Sequence, residues 1–125
     1  MRVNQTLLIA DRDAELCEVF RRFLTERGYE VETSTDGLDC LAKLRQVPPA
    51  VLVLDLELPW GGGEGVLAWL REGSPAPGMP VVLTATAGYP LDMAGFKDPP
   101  VVDYLPKPFA LTALLESVRS AVARR

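Results

Sequence analysis

The sequence predicts an α/β domain built on one doubly wound parallel sheet of five strands, with helices covering both faces. Three observations lead there. Short apolar runs alternate along the 125 residues with amphipathic stretches of helical period. One run, Val51-Leu52-Val53-Leu54, is apolar throughout, as a strand buried on both faces must be. Three runs end on or beside a charged residue, at Asp11, Asp55 and Lys107, where open parallel sheets carry their sites.

Residues 6–10 read as the first strand. Asp13 can cap a helix reaching about residue 27, with Leu16, Phe20, Phe23 and Leu24 on one stripe. Gly28 suits the turn that follows. Residues 29–33 form a short strand of mixed polarity, fit for a sheet edge. The second helix covers 36–46, buried through Leu38, Leu41 and Leu44, and Pro48-Pro49 closes the link to a third strand at 51–55. A third helix covers 64–71 with Val66, Leu67 and Leu70 inward. A Pro/Gly loop at 74–80 leads to a fourth strand at 81–84. Gly88, Pro90, Gly95, Pro99 and Pro100 then interrupt the pattern. A helix can start at Pro90, where proline suits a first turn, but it can hardly pass Lys97. The fifth strand is 101–105, and the last helix is 110–123, with Leu111, Leu114, Leu115, Val118 and Val122 as its stripe. Right-handed crossovers are expected, and the expected strand order is the flavodoxin-like 2-1-3-4-5. That order brings Asp11, Asp55 and Thr84 to the sheet's C-terminal edge.

Composition narrows the function. The length fits one domain, residues 1–125. A net charge of −4 gives no basic field for nucleic acid. No apolar run is long enough to span a membrane and no signal-peptide core opens the chain, so a cytoplasmic protein is expected. Histidine is absent, which excludes Ser-His-Asp and Cys-His relays and any histidine metal ligand. Cys17 and Cys40 fall among apolar residues of helices and read as reduced, buried thiols.

The charged strand ends suggest chemistry on a phosphoryl group. A carboxylate such as Asp55 can attack phosphorus and become an acyl phosphate. A lysine such as Lys107 can stabilise charge on the transferring oxygens. The plainer readings are an aspartate that turns the chain and a solvated lysine. Thr84 offers a hydroxyl to a phosphoryl oxygen, with Thr86 the alternative on the same strand face. Gly61-Gly62-Gly63 after Trp60 reads either as an anion-binding nest or as a loop before the third helix.

Asp55 to Pro59 has the form Asp-x-x-Leu-Pro, Leu83-Thr84-Ala85 follows on the fourth strand, and Tyr104-Leu105-Pro106-Lys107-Pro108-Phe109 closes the fifth. With Asp11, these segments resemble the receiver domain of bacterial two-component response regulators, from about residue 5 to residue 122. The resemblance implies a phosphoacceptor signalling domain, not an enzyme. It implies Asp55 as phosphoacceptor, Lys107 as site lysine, Thr84 and Tyr104 as switch residues, and a cis peptide before Pro108. It implies magnesium held by Asp11, Asp55 and the backbone carbonyl of Glu57, whose side chain would influence how long the phosphoryl group lasts. The donor would be a phosphohistidine on a sensor histidine kinase or phosphotransfer protein, and the output a downstream protein target, with a homodimer compatible. No nucleic acid or membrane contact is expected of this domain. With no DNA-binding segment after the last helix, the chain reads as a stand-alone regulator or as a piece of a longer one.

Arg12 departs from the pattern, standing where a second acidic metal ligand is expected. At ~4 Å and an effective dielectric of about 20, a guanidinium attracts a carboxylate by roughly 4 kcal/mol. Arg12 therefore either occupies Asp55 and excludes the metal or swings to solvent and leaves a weakened, magnesium-poor site. Asp13 either replaces the lost ligand or caps the first helix. The competing reading is a pseudo-receiver, a constitutive interaction module in which Arg12 replaces the metal. A flavin-binding flavodoxin would need a Ser/Thr/Gly-rich phosphate loop after the first strand, and Asp11-Arg12-Asp13 has the wrong charge for one.

Overall fold

The apolar run Val51–Asp55, here strand β3, lies at the centre of the sheet, and each of its residues is buried. The computed structural model describes residues 5–60, 62–73, 78–90 and 98–123. Around β3, in chain order, come β1 (Thr6–Ala10), α1 (Ala14–Thr25), β2 (Glu30–Ser34), α2 (Gly37–Gln46), α3 (Gly62–Arg71), β4 (Val81–Thr86), β5 (Val101–Lys107) and α4 (Leu111–Ala123). All pairings are parallel, in the order β2-β1-β3-β4-β5. Strand alternation splits the core into two layers. Leu8, Leu52, Leu54 and Leu83 pack on one face with α2 and α3 through Cys40, Leu44, Val66 and Leu67. Leu7, Ile9, Val51, Val53 and Val82 pack on the other with α1 and α4 through Phe20, Leu24, Leu114 and Val118.

Asp13 caps α1, its Oδ1 accepting from the backbone N–H groups of Glu15 (3.0 Å) and Leu16 (3.1 Å). Of the two readings of Asp13, the structure shows the cap. Gly28 turns the chain at φ 95° before edge strand β2, which starts at Glu30, one residue later than the sequence suggests.

The second helix corrects one expectation. Leu38 is 65% exposed, and Gly37, Cys40 and Leu44 face inward, with Leu41 partly buried beside them. Steps of three residues turn about 300°, so a row at 38, 41 and 44 drifts round the helix, whereas 37, 40, 41 and 44 hold one face. Gly37 takes the inward place because a Cβ there would lie 2.3 Å from the Trp60 carbonyl oxygen. The third helix starts at Gly62, so Gly62 and Gly63 belong to its first turn and not to a preceding loop. Strands β4 and β5 each run two residues past their expected ends. The short helix expected from Pro90 to Lys97 falls almost wholly on residues 91–97, outside the described residues, as do Gly61 and residues 74–77.

Candidate functional site

Strand register assembles the site. Ala10 of β1 pairs with Leu54, and Asp55 pairs with Thr84, so Asp11, Asp55 and Thr84 meet at the C-terminal edge. All three are buried, Asp55 completely. Lys107, the last residue of β5, extends its ammonium over the acids, 2.7 Å from Asp11 Oδ2 and 3.4 Å from Asp55 Oδ2. The Lys107-Pro108 peptide is cis. Burial on its own would lower the lysine's pKa. The hydrogen bond to Asp11 and the charges of Asp11 and Asp55 outweigh it, and the net shift is upward.

Asp55 is also held by main chain. Its Oδ1 accepts the Glu57 N–H at 2.9 Å, and its Oδ2 accepts the Arg12 N–H at 3.3 Å. Asp11 Oδ1 accepts the Asp13 N–H at 2.8 Å. The Arg12 guanidinium neither binds Asp55 nor reaches free into solvent. It pairs with Glu57, Nη2 to Oε2, at 2.8 Å, and its side chain stays 52% exposed. The same Glu57 oxygen accepts the Thr86 hydroxyl at 2.9 Å. Thr86 is thus turned to Glu57 at the surface, and Thr84 is the threonine opposite Asp55. Tyr104 pairs with Leu83 and lies half-buried on the α2–α3 face.

Two contributors, Cys17 and Tyr89, escaped the sequence reading as parts of the site, and a third, Gly63, was read there only as part of a nest or a loop. Gly63 lies so close to β3 that a Cβ would stand 2.5 Å from the Asp55 carbonyl oxygen. The glycine run after Trp60 was its signal. Cys17 donates its thiol to the Asp11 carbonyl oxygen at 3.4 Å from behind the site. Tyr89 lies past β4, and its phenol pKa is raised first by burial and then by the charges of Glu64, Glu57 and Asp55. Nothing in the sequence signalled these last two.

The oxygen donors for a cation are the carboxylates of Asp11 and Asp55 and the carbonyl of Glu57. Each of the four carboxylate oxygens already accepts from an N–H or an ammonium group. No group of three or more His, Cys, Asp or Glu side chains is placed to hold a metal ion among the described residues. Where a further acid would add a donor the chain has Arg12, whose guanidinium is paired with Glu57. This donor set does not fit a tightly held magnesium ion, which wants hard oxygens and waters in near-octahedral array. What the set can do is present one buried carboxylate, flanked by a lysine and main-chain donors, to an incoming phosphoryl group.

A family model described as "Response regulator receiver domain" matches residues 7–119. Response regulator MprA of Mycobacterium leprae (strain TN) is 39% identical over 119 residues, covering 94% of this chain and 51% of the relative. MprA of Mycobacterium sp. (strain KMS) is 38% identical over the same length. The chain therefore spans about half the length of the curated relatives it matches. Among solved structures, the chemotaxis response regulator CheY4 of Vibrio cholerae superposes with a TM-score of 0.85 at 25% identity, covering 95% of this chain and 99% of that one. The Francisella response regulator 1452 receiver domain gives 0.85 at 25%, covering 97% and 98%.

Proposed function

The chain belongs to the response regulator receiver domain family, and from that premise we propose that Asp55 accepts a phosphoryl group from a partner's phosphohistidine and so switches a protein-binding surface. The carrying observation is a fully buried Asp55 at the end of the central strand with the Lys107 ammonium 3.4 Å from it. In the step, an Asp55 carboxylate oxygen forms a bond to phosphorus, the phosphorus–nitrogen bond of the donor breaks, and the electron pair leaves with the imidazole. Lys107 offsets charge on the phosphoryl oxygens, and the Thr84 hydroxyl hydrogen-bonds one of them. Receiver domains generally bind Mg2+ at this site, where the ion neutralises phosphoryl charge. In this chain its binding at Asp11, Asp55 and the Glu57 carbonyl is weak or absent. The donor is a sensor histidine kinase or phosphotransfer protein in the cytoplasm, and the output is a downstream protein target. Residues 1–125 act as one receiver domain, with Thr84 and Tyr104 as its switch pair. No described helix is long and apolar enough to cross a membrane.

Intact mass after incubation with a small acyl phosphate tests this reading. One added phosphoryl group is expected, and none on Asp55→Asn. Full labelling of that variant would remove Asp55 from the role. The observation favouring a second reading, the constitutive pseudo-receiver, is Arg12 at the corner where an acid is expected, tied to Glu57. Partner binding unaffected by Asp55→Asn would select it.

A further inference from the structure

Asp55 has no exposed surface, so a phosphoryl donor reaches it only after something moves aside. The two residues whose N–H groups clasp its carboxylate, Arg12 and Glu57, are also joined to each other by their side chains at 2.8 Å. The loops after β1 and β3 are therefore tied across the acceptor. Glu57 Oε2 also accepts the Thr86 hydroxyl, so it keeps a partner if the guanidinium departs. Arg12 is half exposed, long and flexible, and its own main chain already touches the acceptor oxygen. A guanidinium presents a fork of donors that matches phosphoryl oxygens as well as a carboxylate.

We propose, resting on the reading of Asp55 as phosphoacceptor, that Arg12 is a second phosphoryl-binding cation of this site beside Lys107 and that Glu57 parks it until phosphorylation. On attack of Asp55, the Arg12–Glu57 pair parts, and the guanidinium moves onto the phosphoryl oxygens. That group carries close to two negative charges where Glu57 carries one, so the exchange favours the phosphorylated state. The site then phosphorylates without needing a divalent cation, which accounts for a donor set that does not fit magnesium.

The test is the rate of labelling by acetyl phosphate, read by intact mass in EDTA and in millimolar magnesium. An Asp55 oxygen bonds to phosphorus and acetate leaves with the electron pair, so no proton or further reactant is required. The unmodified protein should label in EDTA about as fast as in magnesium. Arg12→Gln should label at least roughly tenfold more slowly in EDTA, by loss of a charge-stabilising donor. Arg12→Lys should recover part of the rate, which a merely structural role for Arg12 would not give. Glu57→Gln, which leaves the guanidinium unparked, should label faster than the unmodified protein. Arg12→Asp should label only with magnesium. Circular dichroism checks that each variant folds, and Glu57→Gln carries the test should Arg12→Gln fail to fold. Labelling of the unmodified protein that demands magnesium, or an Arg12→Gln rate in EDTA equal to the unmodified rate, overturns the proposal and leaves Asp55 as acceptor. No label on any variant, Arg12→Asp with magnesium included, overturns both.

Discussion

Gly63 shows how little space separates β3 from the helix behind it. A methyl group there would meet the Asp55 carbonyl oxygen at 2.5 Å and the Leu56 Cα at 2.6 Å, both main-chain atoms that cannot swing aside. Gly63→Ala should cost about 1–3 kcal/mol in chemical denaturation, the range for overpacking, and should perturb Asp55 besides. Wild-type stability in that variant would mean that α3 pivots freely. The thiols can be argued at the same scale. Burial, then the charge of Asp11, pushes the Cys17 thiol up to about 11, and burial, then Asp39, pushes Cys40 to about 12. Thiolate is the reactive form, so both should label slowly with a disulfide reagent at pH 8 in the folded protein and quickly once unfolded. The sign for stability follows. Above about pH 9 the unfolded thiols lose protons that the folded ones keep, so stability is full below that pH and falls as pH rises toward 11–12. Cys17→Ala/Cys40→Ala should flatten this alkaline slope, and an unchanged slope would assign it to other groups. The placements of Asp55 and Asp11 were legible because Asp55 ends, and Asp11 directly follows, an apolar strand whose direction is forced, whereas Lys107 was placed only near the end of its strand. The partner of Arg12 was not. A long side chain with several rotamers chooses among carboxylates by geometry, and Glu57 lies 45 positions away in sequence, across a strand pairing that only the fold supplies.

The elements themselves were legible where periodicity and burial agree. Strand β3 is the clearest case, since a strand enclosed on both faces has an uninterrupted apolar sequence. Leu52 is wholly buried in the α2–α3 layer, so Leu52→Ala should lower stability by about 2–5 kcal/mol in urea titration. A loss below about 1 kcal/mol would mean that the layer collapses around the gap. Helix α2 was misread on one face because its inward position at the first turn belongs to a glycine, which carries no hydrophobic signal. Leu38 consequently stands in solvent, as does Trp60, which is 71% exposed and whose φ is 58°. The ends of β4 and β5 were underestimated because Thr86, Pro106 and Lys107 lack strand-like apolarity. They remain in the sheet because Thr84, Ala85 and Thr86 pair with Leu105, Pro106 and Lys107.

At the scale of the molecule, the chain around Asp55 and the sheet edge at β4 and β5 are parts of one hydrogen-bonded structure. The Leu56 N–H donates to the Thr84 carbonyl at 2.9 Å, and the Ala87 N–H donates to the Lys107 carbonyl at 3.1 Å. Thr86, between them, is bonded to Glu57. A phosphoryl group on Asp55, were it to draw in the Thr84 hydroxyl and take Arg12 from Glu57 as proposed, would alter both ends of the Thr84–Thr86 segment together. Packed interiors shift between discrete arrangements more readily than they deform smoothly, so the change should be carried to the chain beyond β4. Ala87, Gly88 and Pro90 are exposed there, and Tyr89 is half-buried. Weakly buried chain of this kind opens readily, so the Ala87 and Tyr89 amides, each held by one hydrogen bond at the surface, should exchange faster in the free protein than those of β1 or β3. On phosphorylation, exchange should slow at 87–89 and around Tyr104 more than in β1 or β3, where the core already protects it. Hydrogen exchange by mass spectrometry on singly labelled and unlabelled protein measures this directly. Equal exchange in both states, with phosphorylation proven by mass, would mean that the β4–β5 edge does not respond to Asp55 and that partner binding is constitutive.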